Sequence, residues 1–99
     1  MLDLVIRGAE VVDGTGAASR RADVGVADGL IVLDRDRVRN DETARTIDAE
    51  GRVVSPGFID IHTHSDFTLP LNPRAESKIR QGVTTEVLGN CGFSAAPAL

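Results

Sequence analysis

The segment Pro56-Gly57-Phe58-Ile59-Asp60-Ile61-His62-Thr63-His64-Ser65-Asp66 constrains this chain more than any other. An apolar run ends in two histidines one residue apart, which predicts a buried strand with its chemistry at the end. Alternation along a strand puts Phe58, Asp60, His62 and His64 on one face, and Ile59, Ile61 and Thr63 on the other. Two imidazoles sharing a face at a strand end make half of a metal site. The same spacing also arises in surface strands that bind nothing. Both histidines of the chain are spent here.

Downstream, Asn72 is placed to cap a helix with Pro73 at its first position, where the missing N–H costs nothing. Ala75 and Ile79 share a face of that helix, and Gly82 suits its end. A loop, Ser65 to Asn72, leads into it. Val83-Thr84-Thr85-Glu86-Val87-Leu88 is β-branched and strand-like, and it stops at Gly89-Asn90-Cys91-Gly92. Strand, helix and strand with a short crossover make a βαβ unit and hence a parallel sheet. In a parallel barrel, functional groups gather at strand C-termini, where His62 and His64 fall and where Cys91 ends the next strand. Cys91 reads either as a thiolate metal ligand or as a small core residue. Asp60, one step below His62 on the same face, is placed to orient a ligand imidazole. Asp66 and Ser65 in the mouth loop either orient a ligand or cap and solvate the loop. Glu86 receives no role.

Residues before Pro56 read as short strands. Leu2 to Arg7 alternates, Gly8 breaks the pattern, and Ala9 to Val12 resumes it. Asp13-Gly14-Thr15-Gly16 is a turn, and Ala17 to Arg21 is polar. Asp23 to Val26 alternates again; Asp28-Gly29 is a two-residue hairpin signal, with Leu30 to Leu33 returning. The mixed-charge run Asp34 to Glu42 reads as a solvated loop or exposed turn. Thr46 to Asp48 and Arg52 to Val54 are two further strands around Glu50-Gly51. The pattern predicts a small β-sandwich or open sheet for residues 1–55, and the start of an α/β unit for 56–99.

The net charge of −4 argues against a nucleic-acid surface, and the absence of Trp and Tyr removes stacking platforms for single strands. No apolar run approaches the ~18 residues of a transmembrane helix, and the first residues lack the pattern of a signal peptide. A single cysteine excludes an intrachain disulfide. A cytoplasmic location is the default expectation, with no membrane partner.

The stretch Gly51 to Asp66 resembles the first barrel strand of the amidohydrolase superfamily. The longer run, from Asn72-Pro73-Arg74-Ala75-Glu76-Ser77-Lys78-Ile79-Arg80-Gln81-Gly82-Val83-Thr84-Thr85-Glu86-Val87 to Gly89-Asn90-Cys91-Gly92, resembles the N-acyl-D-amino-acid deacylase (D-aminoacylase) family. The Asp-Gly hairpin and Ile47-Asp48-Ala49-Glu50-Gly51-Arg52 fit as well. The resemblance implies a small β-sandwich module followed by the first β-α-β of a TIM-type (β/α)8 metal-dependent hydrolase barrel. It implies that His62, His64 and Cys91 ligate zinc, as one or two divalent ions. It implies hydrolysis of a small-molecule N-acyl-D-amino acid to a carboxylate and a free D-amino acid. One departure is a surface turn: Leu30-Ile31-Val32-Leu33-Asp34-Arg35-Asp36 stands where the family commonly has an Ile-Val-x-x-Gly pattern. The other is length: the general base and remaining ligands are expected beyond Leu99. Two other readings stand beside it. One is a cyclic-amide hydrolase of hydantoinase or dihydroorotase type, in which Cys91 has no role. The other is a catalytically inactive fragment, poorly soluble because its apolar barrel strands are uncovered.

Overall fold

A computed structural model describes residues 1–94. The chain divides into two compact units, Met1–Pro56 and Gly57 onward.

The first unit is one open five-stranded sheet: β1 (Leu4–Val11), β2 (Arg20–Ala27), β3 (Leu30–Val32), β4 (Thr46–Asp48) and β5 (Val53–Val54). Of the two expected forms, sandwich or open sheet, the described residues make the open sheet. β1 is its centre. β2 pairs antiparallel along one edge, while β4 and then β5 pair parallel along the other. The Asp28-Gly29 hairpin is as expected: both residues are left-handed, at φ 51 and φ 74, and Ala27 pairs with Leu30 across them.

Gly8 does not break the strand; it makes a bulge within it. Ile6 pairs with Val24 and Ala9 with Ala22, so three steps on β1 oppose two on β2. That extra residue switches the parity of everything after it. Val5 therefore packs with Leu2, Ala27 and Val38, while Ala9 and Val11 pack with Val24 and Ala49. One strand thereby serves two small cores. Asp23 holds the bulge: its carboxylate accepts from the Gly8 N–H at 2.8 Å and from Arg7 Nη1 at 3.0 Å. Gly8 stands at φ +70, and a Cβ there would lie 2.6 Å from Glu50 Oε2. Gly8→Ala is accordingly expected to lower the stability of this unit by about 1–2 kcal/mol, read as a reduced urea midpoint at unchanged slope.

The mixed-charge run 34–42 corrects the loop expectation. It holds a short helix, α1 (Arg35–Asn40), with the Asp34 side chain accepting from the Asp36 and Arg37 N–H groups. Val38 is buried on the sheet at 2% exposure, and the charged residues face away. One apolar residue in a charged run suffices because a helix turn needs only one contact with the sheet beneath it. Gly25 permits the approach: a Cβ there would meet Val38 Cγ2 at 3.0 Å and Leu2 Cδ1 at 3.4 Å. The polar segment after the first turn is also shorter than expected, since Arg20 and Arg21 already belong to β2. Arg20 leans back to Asp13 at 3.0 Å.

Hydrogen bonds from Thr15, side chain then backbone, and from Arg20 hold the Asp13 carboxyl down at about 2 against an ordinary 3.8. A carboxylate depressed in the folded state stabilises above its unfolded pKa and loses that contribution as pH falls through the folded one. The urea midpoint of the natural chain should therefore exceed that of Asp13→Asn at neutral pH. The gap should close between pH 3.8 and about 2.

The second unit contains β6 (Phe58–Asp60), α2 (Ser65–Thr68), α3 (Glu76–Ile79), β7 (Val83–Glu86) and a 3-10 turn over Asn90–Gly92. β6 and β7 are parallel, as the βαβ reading requires. Four local expectations are corrected. The histidine-bearing strand is short, ending at Asp60, and it is not buried: Phe58, Ile59 and Ile61 are exposed, because β7 is its only neighbour among the described residues. The 65–72 loop contains α2. The crossover helix does not start at Asn72-Pro73, because Ala75 takes a left-handed φ of 46 and helical geometry begins only at Glu76. The second strand ends at Glu86 rather than Leu88, where Asn90 takes the Val87 carbonyl.

Candidate metal centre

Beyond Asp60 the chain leaves β6 in a bend that carries His62 and His64. Beyond Glu86 it leaves β7 toward the turn that carries Cys91. Because the strands are parallel, both exits lie at the same end of the pair. The ligand atoms of His62, His64 and Cys91 consequently lie within 4.8 Å of one another, and all three residues are exposed. Sγ of Cys91 stands 3.3 Å from Nε2 of His62. The two imidazoles meet edge to face with centroids 5.5 Å apart, and Phe93 packs edge-on against His64 at 5.8 Å.

Two nitrogens and one sulfur suit a borderline-soft ion such as zinc. Ligand atoms on a tetrahedral zinc stand about 3.5 Å apart for the N–S pair, close to the separation of His62 and Cys91 here. Three donors are one fewer than the four of a tetrahedral zinc, so an ion held by this trio would keep a position for water or substrate. The donor set therefore fits the metal that the sequence suggests.

Both carboxylates singled out in the sequence take backbone N–H partners. Asp60 does not reach an imidazole. Its Oδ1 accepts the backbone N–H of His62 at 3.1 Å, and its Oδ2 accepts Lys78 Nζ at 2.6 Å. It thus fixes the backbone of the bend rather than the ring. The Lys78 bond, then the His62 N–H, holds the Asp60 carboxyl below its ordinary range, and Asp60 in turn raises the Lys78 ammonium. Asp66 accepts the Gly89 N–H at 3.1 Å, which ties α2 to the loop before Cys91.

Three residues with no assigned role prove to organise this end of the sheet. Lys78 also approaches Glu86 at 3.7 Å, so one ammonium sits between the carboxylates that end β6 and β7. Glu86 accepts from Ser65 Oγ at 3.0 Å, and Ser65 shares a hydrogen bond of 2.8 Å with Thr63. Thr63 and Ser65 are buried, and this chain of bonds satisfies them. Asn90 donates from Nδ2 to the carbonyl oxygens of Thr63 and Val87. The signal for the first pair was available: the chain's one lysine sits on the crossover helix, and an acid ends a β-branched strand. Nothing short of the folded loops reveals Asn90.

A parallel strand pair thus presents two histidines and a cysteine, a candidate metal-binding trio, at one end. The family behind it is shown by sequence: the profile of the amidohydrolase family matches residues 45–98, and the chain belongs to that family. The chain is 48% identical over 97 residues to N-acyl-D-glutamate deacylase of Alcaligenes xylosoxydans xylosoxydans, covering 98% of this chain and 20% of that one. It superposes with a TM-score of 0.88 on N-acyl-D-glutamate deacylase from Bordetella bronchiseptica, solved with zinc and a phosphonate mimic of the tetrahedral intermediate. The identity is 47%, over 98% of this chain and 20% of that one. A D-aminoacylase studied for its binuclear metal centre gives a TM-score of 0.89 at 48% identity, with the same coverage. The chain thus spans about a fifth of the length of the relatives it matches. No helix of the described residues is long and apolar enough to cross a membrane.

Proposed function

We propose that these residues form the N-terminal part of a zinc-dependent, cytoplasmic deacylase of N-acyl-D-amino acids. In this reading residues 1–55 belong to a small β module and residues 56–99 open a (β/α)8 barrel. The single observation that carries it is the convergence of His62, His64 and Cys91 at the common end of two parallel strands. The solved relatives named above support the substrate class and the metal.

Each side chain has a definite task. His62 and His64 would offer imidazole nitrogens to the metal, and Cys91 its sulfur. Asp60 and Lys78 hold the His62 backbone; Glu86, Ser65 and Thr63 hold the segment between and after the histidines. His62, His64 and Cys91 would hold a zinc ion, which when bound would supply the Lewis acidity that polarises an amide carbonyl and activates water near neutral pH. Hydrolysis then adds water across the C–N bond, giving the carboxylic acid and the free amine of the D-amino acid. Proton transfer to the leaving nitrogen requires a general base–acid that is absent from the ligand trio.

The coding sequence downstream of Leu99 tests the reading. A barrel bearing further histidines and an aspartate is expected there, in frame or after a frameshift. Its absence removes the enzyme reading and leaves a metal-binding module. The protein containing these residues is expected to release free amine from N-acetyl-D-amino acids and to stop when chelated. Turnover only of cyclic amides would favour the hydantoinase-type alternative.

A further inference from the structure

We propose that Asn90 and Asp66 are positioning residues that cross-brace the two loops of the metal centre and set the Cys91 thiolate against the imidazole pair. The inference rests on the metal reading above and deepens it.

The side chains of the two braces reach in opposite directions, although both hydrogen bonds are donated from the cysteine side. From the cysteine side, Asn90 Nδ2 donates to the carbonyl oxygen of Thr63, the residue between the two histidines, at 3.3 Å. The same nitrogen donates to the Val87 carbonyl at 2.7 Å, so both amide hydrogens are engaged. From the histidine side, Asp66 Oδ1 accepts the Gly89 N–H at 3.1 Å. The bonds join residues 27 and 23 positions apart and tie the segment just before Cys91 to the segment that carries His64.

The cysteine needs holding for a reason visible in its backbone. Cys91 lies at φ 57, a left-handed conformation that a residue with a Cβ adopts at a cost and keeps only when its surroundings dictate it. Gly89, two residues earlier, is left-handed as well, at φ 80. No strand ladder reaches this segment, which is a single 3-10 turn. A thiol has one side-chain torsion, so the position of Sγ follows the backbone closely. Donors gathered before the metal arrives cost less on binding than donors collected by it. The braces supply that gathering, and neither brace residue belongs to the donor trio.

The test is a titration of the 99-residue chain with cadmium ion alone, read by the cadmium–thiolate charge-transfer absorption. The natural chain should show the band, and Cys91→Ala should abolish it. Asn90→Ala and Asp66→Ala should each weaken cadmium binding about tenfold. Asp66→Asn, which keeps an acceptor oxygen, should stay within about twofold of the natural chain, a rescue that a loss of general stability does not produce. If Asn90→Ala disturbs the β6–β7 amide resonances, the Asp66→Ala and Asp66→Asn pair carries the test. Affinities of both alanine variants within about twofold of the natural chain, with the band still lost in Cys91→Ala, overturn the brace and leave the metal reading standing. A natural chain without the band overturns the metal reading itself, and the brace with it.

Discussion

Cys91→Ala is expected to raise the zinc dissociation constant of this chain by more than about 100-fold, measured by competition with a chromophoric chelator. The reason is geometric. The thiolate is one of three donors inside a 4.8 Å cluster, and no other histidine or cysteine exists in the chain to replace it. Two imidazoles alone form a site of the kind found on any surface pair. A cysteine sulfur adds soft-donor character, and it comes from the turn after β7 rather than the bend after β6, so it also closes the site. Cys91→Asp should recover part of the affinity, because a carboxylate also ligates zinc, but it should lose the charge-transfer absorption of a thiolate complex. Unchanged affinity in Cys91→Ala would place the ligand set elsewhere and favour the cyclic-amide reading. In an active deacylase carrying these residues, the same substitution should remove turnover along with metal content.

Val38→Asp is expected to remove about 3 kcal/mol or more from the Met1–Pro56 unit and to abolish its cooperative unfolding. Val38 is 2% exposed and packs with Leu2, Val5 and Ala27, of which Leu2 and Val5 are fully buried. Burying one such side chain is worth about 1.5–3 kcal/mol, a large share of what a domain this small retains. The one guanidinium that reaches Val38 among the described contacts, that of Arg7, is bound to the Val38 carbonyl and to Asp23, so a buried carboxylate here would compete with an existing ion pair. Arg39→Gln, one residue along on the exposed face, should change stability by less than about 0.5 kcal/mol. Loss of the amide resonances of β1 and β2 in the first variant and their retention in the second is the expected pattern. Cooperative unfolding of Val38→Asp at a midpoint near the natural chain's would show that α1 contributes little to this unit.

How much of this was legible beforehand differs element by element. The Asp28-Gly29 hairpin was, because a two-residue turn is specified by its own backbone needs. The parallel βαβ unit was, because its strands and crossover follow from local pattern and chain connectivity. α1 was not: its charges hide a single buried valine, and only the sheet beneath gives that valine a partner. The bulge at Gly8 looks like a break in the sequence, which shows the interruption of a pattern and not whether a neighbouring strand continues past it. The exposure of the Phe58–Ile61 run is not legible there, since apolar residues reveal what a strand can bury and not what is there to cover it. At the site, spacing points to His62 and His64 and the resemblance adds Cys91, whereas nothing in the sequence points to Asn90. Donor residue types carry chemistry in their identity. The residues that hold them act only through hydrogen bonds to backbone atoms far away in the chain.

The sequence by itself carried the candidate donors, His62 and His64 from their spacing and Cys91 from the family resemblance, together with the parallel sense of the strands that lead to them and the family. These depend on residue identity, short-range spacing and connectivity. The tertiary structure decided where the donors meet, at 4.8 Å or less beyond the ends of β6 and β7 rather than on a strand face. It also decided that Asp60 serves the backbone of His62 rather than its ring. That difference arises because β6 stops two residues before the first histidine, and beyond that point strand parity no longer directs a side chain. From there the loop's own hydrogen bonds to Asp60, Asp66 and Asn90 do.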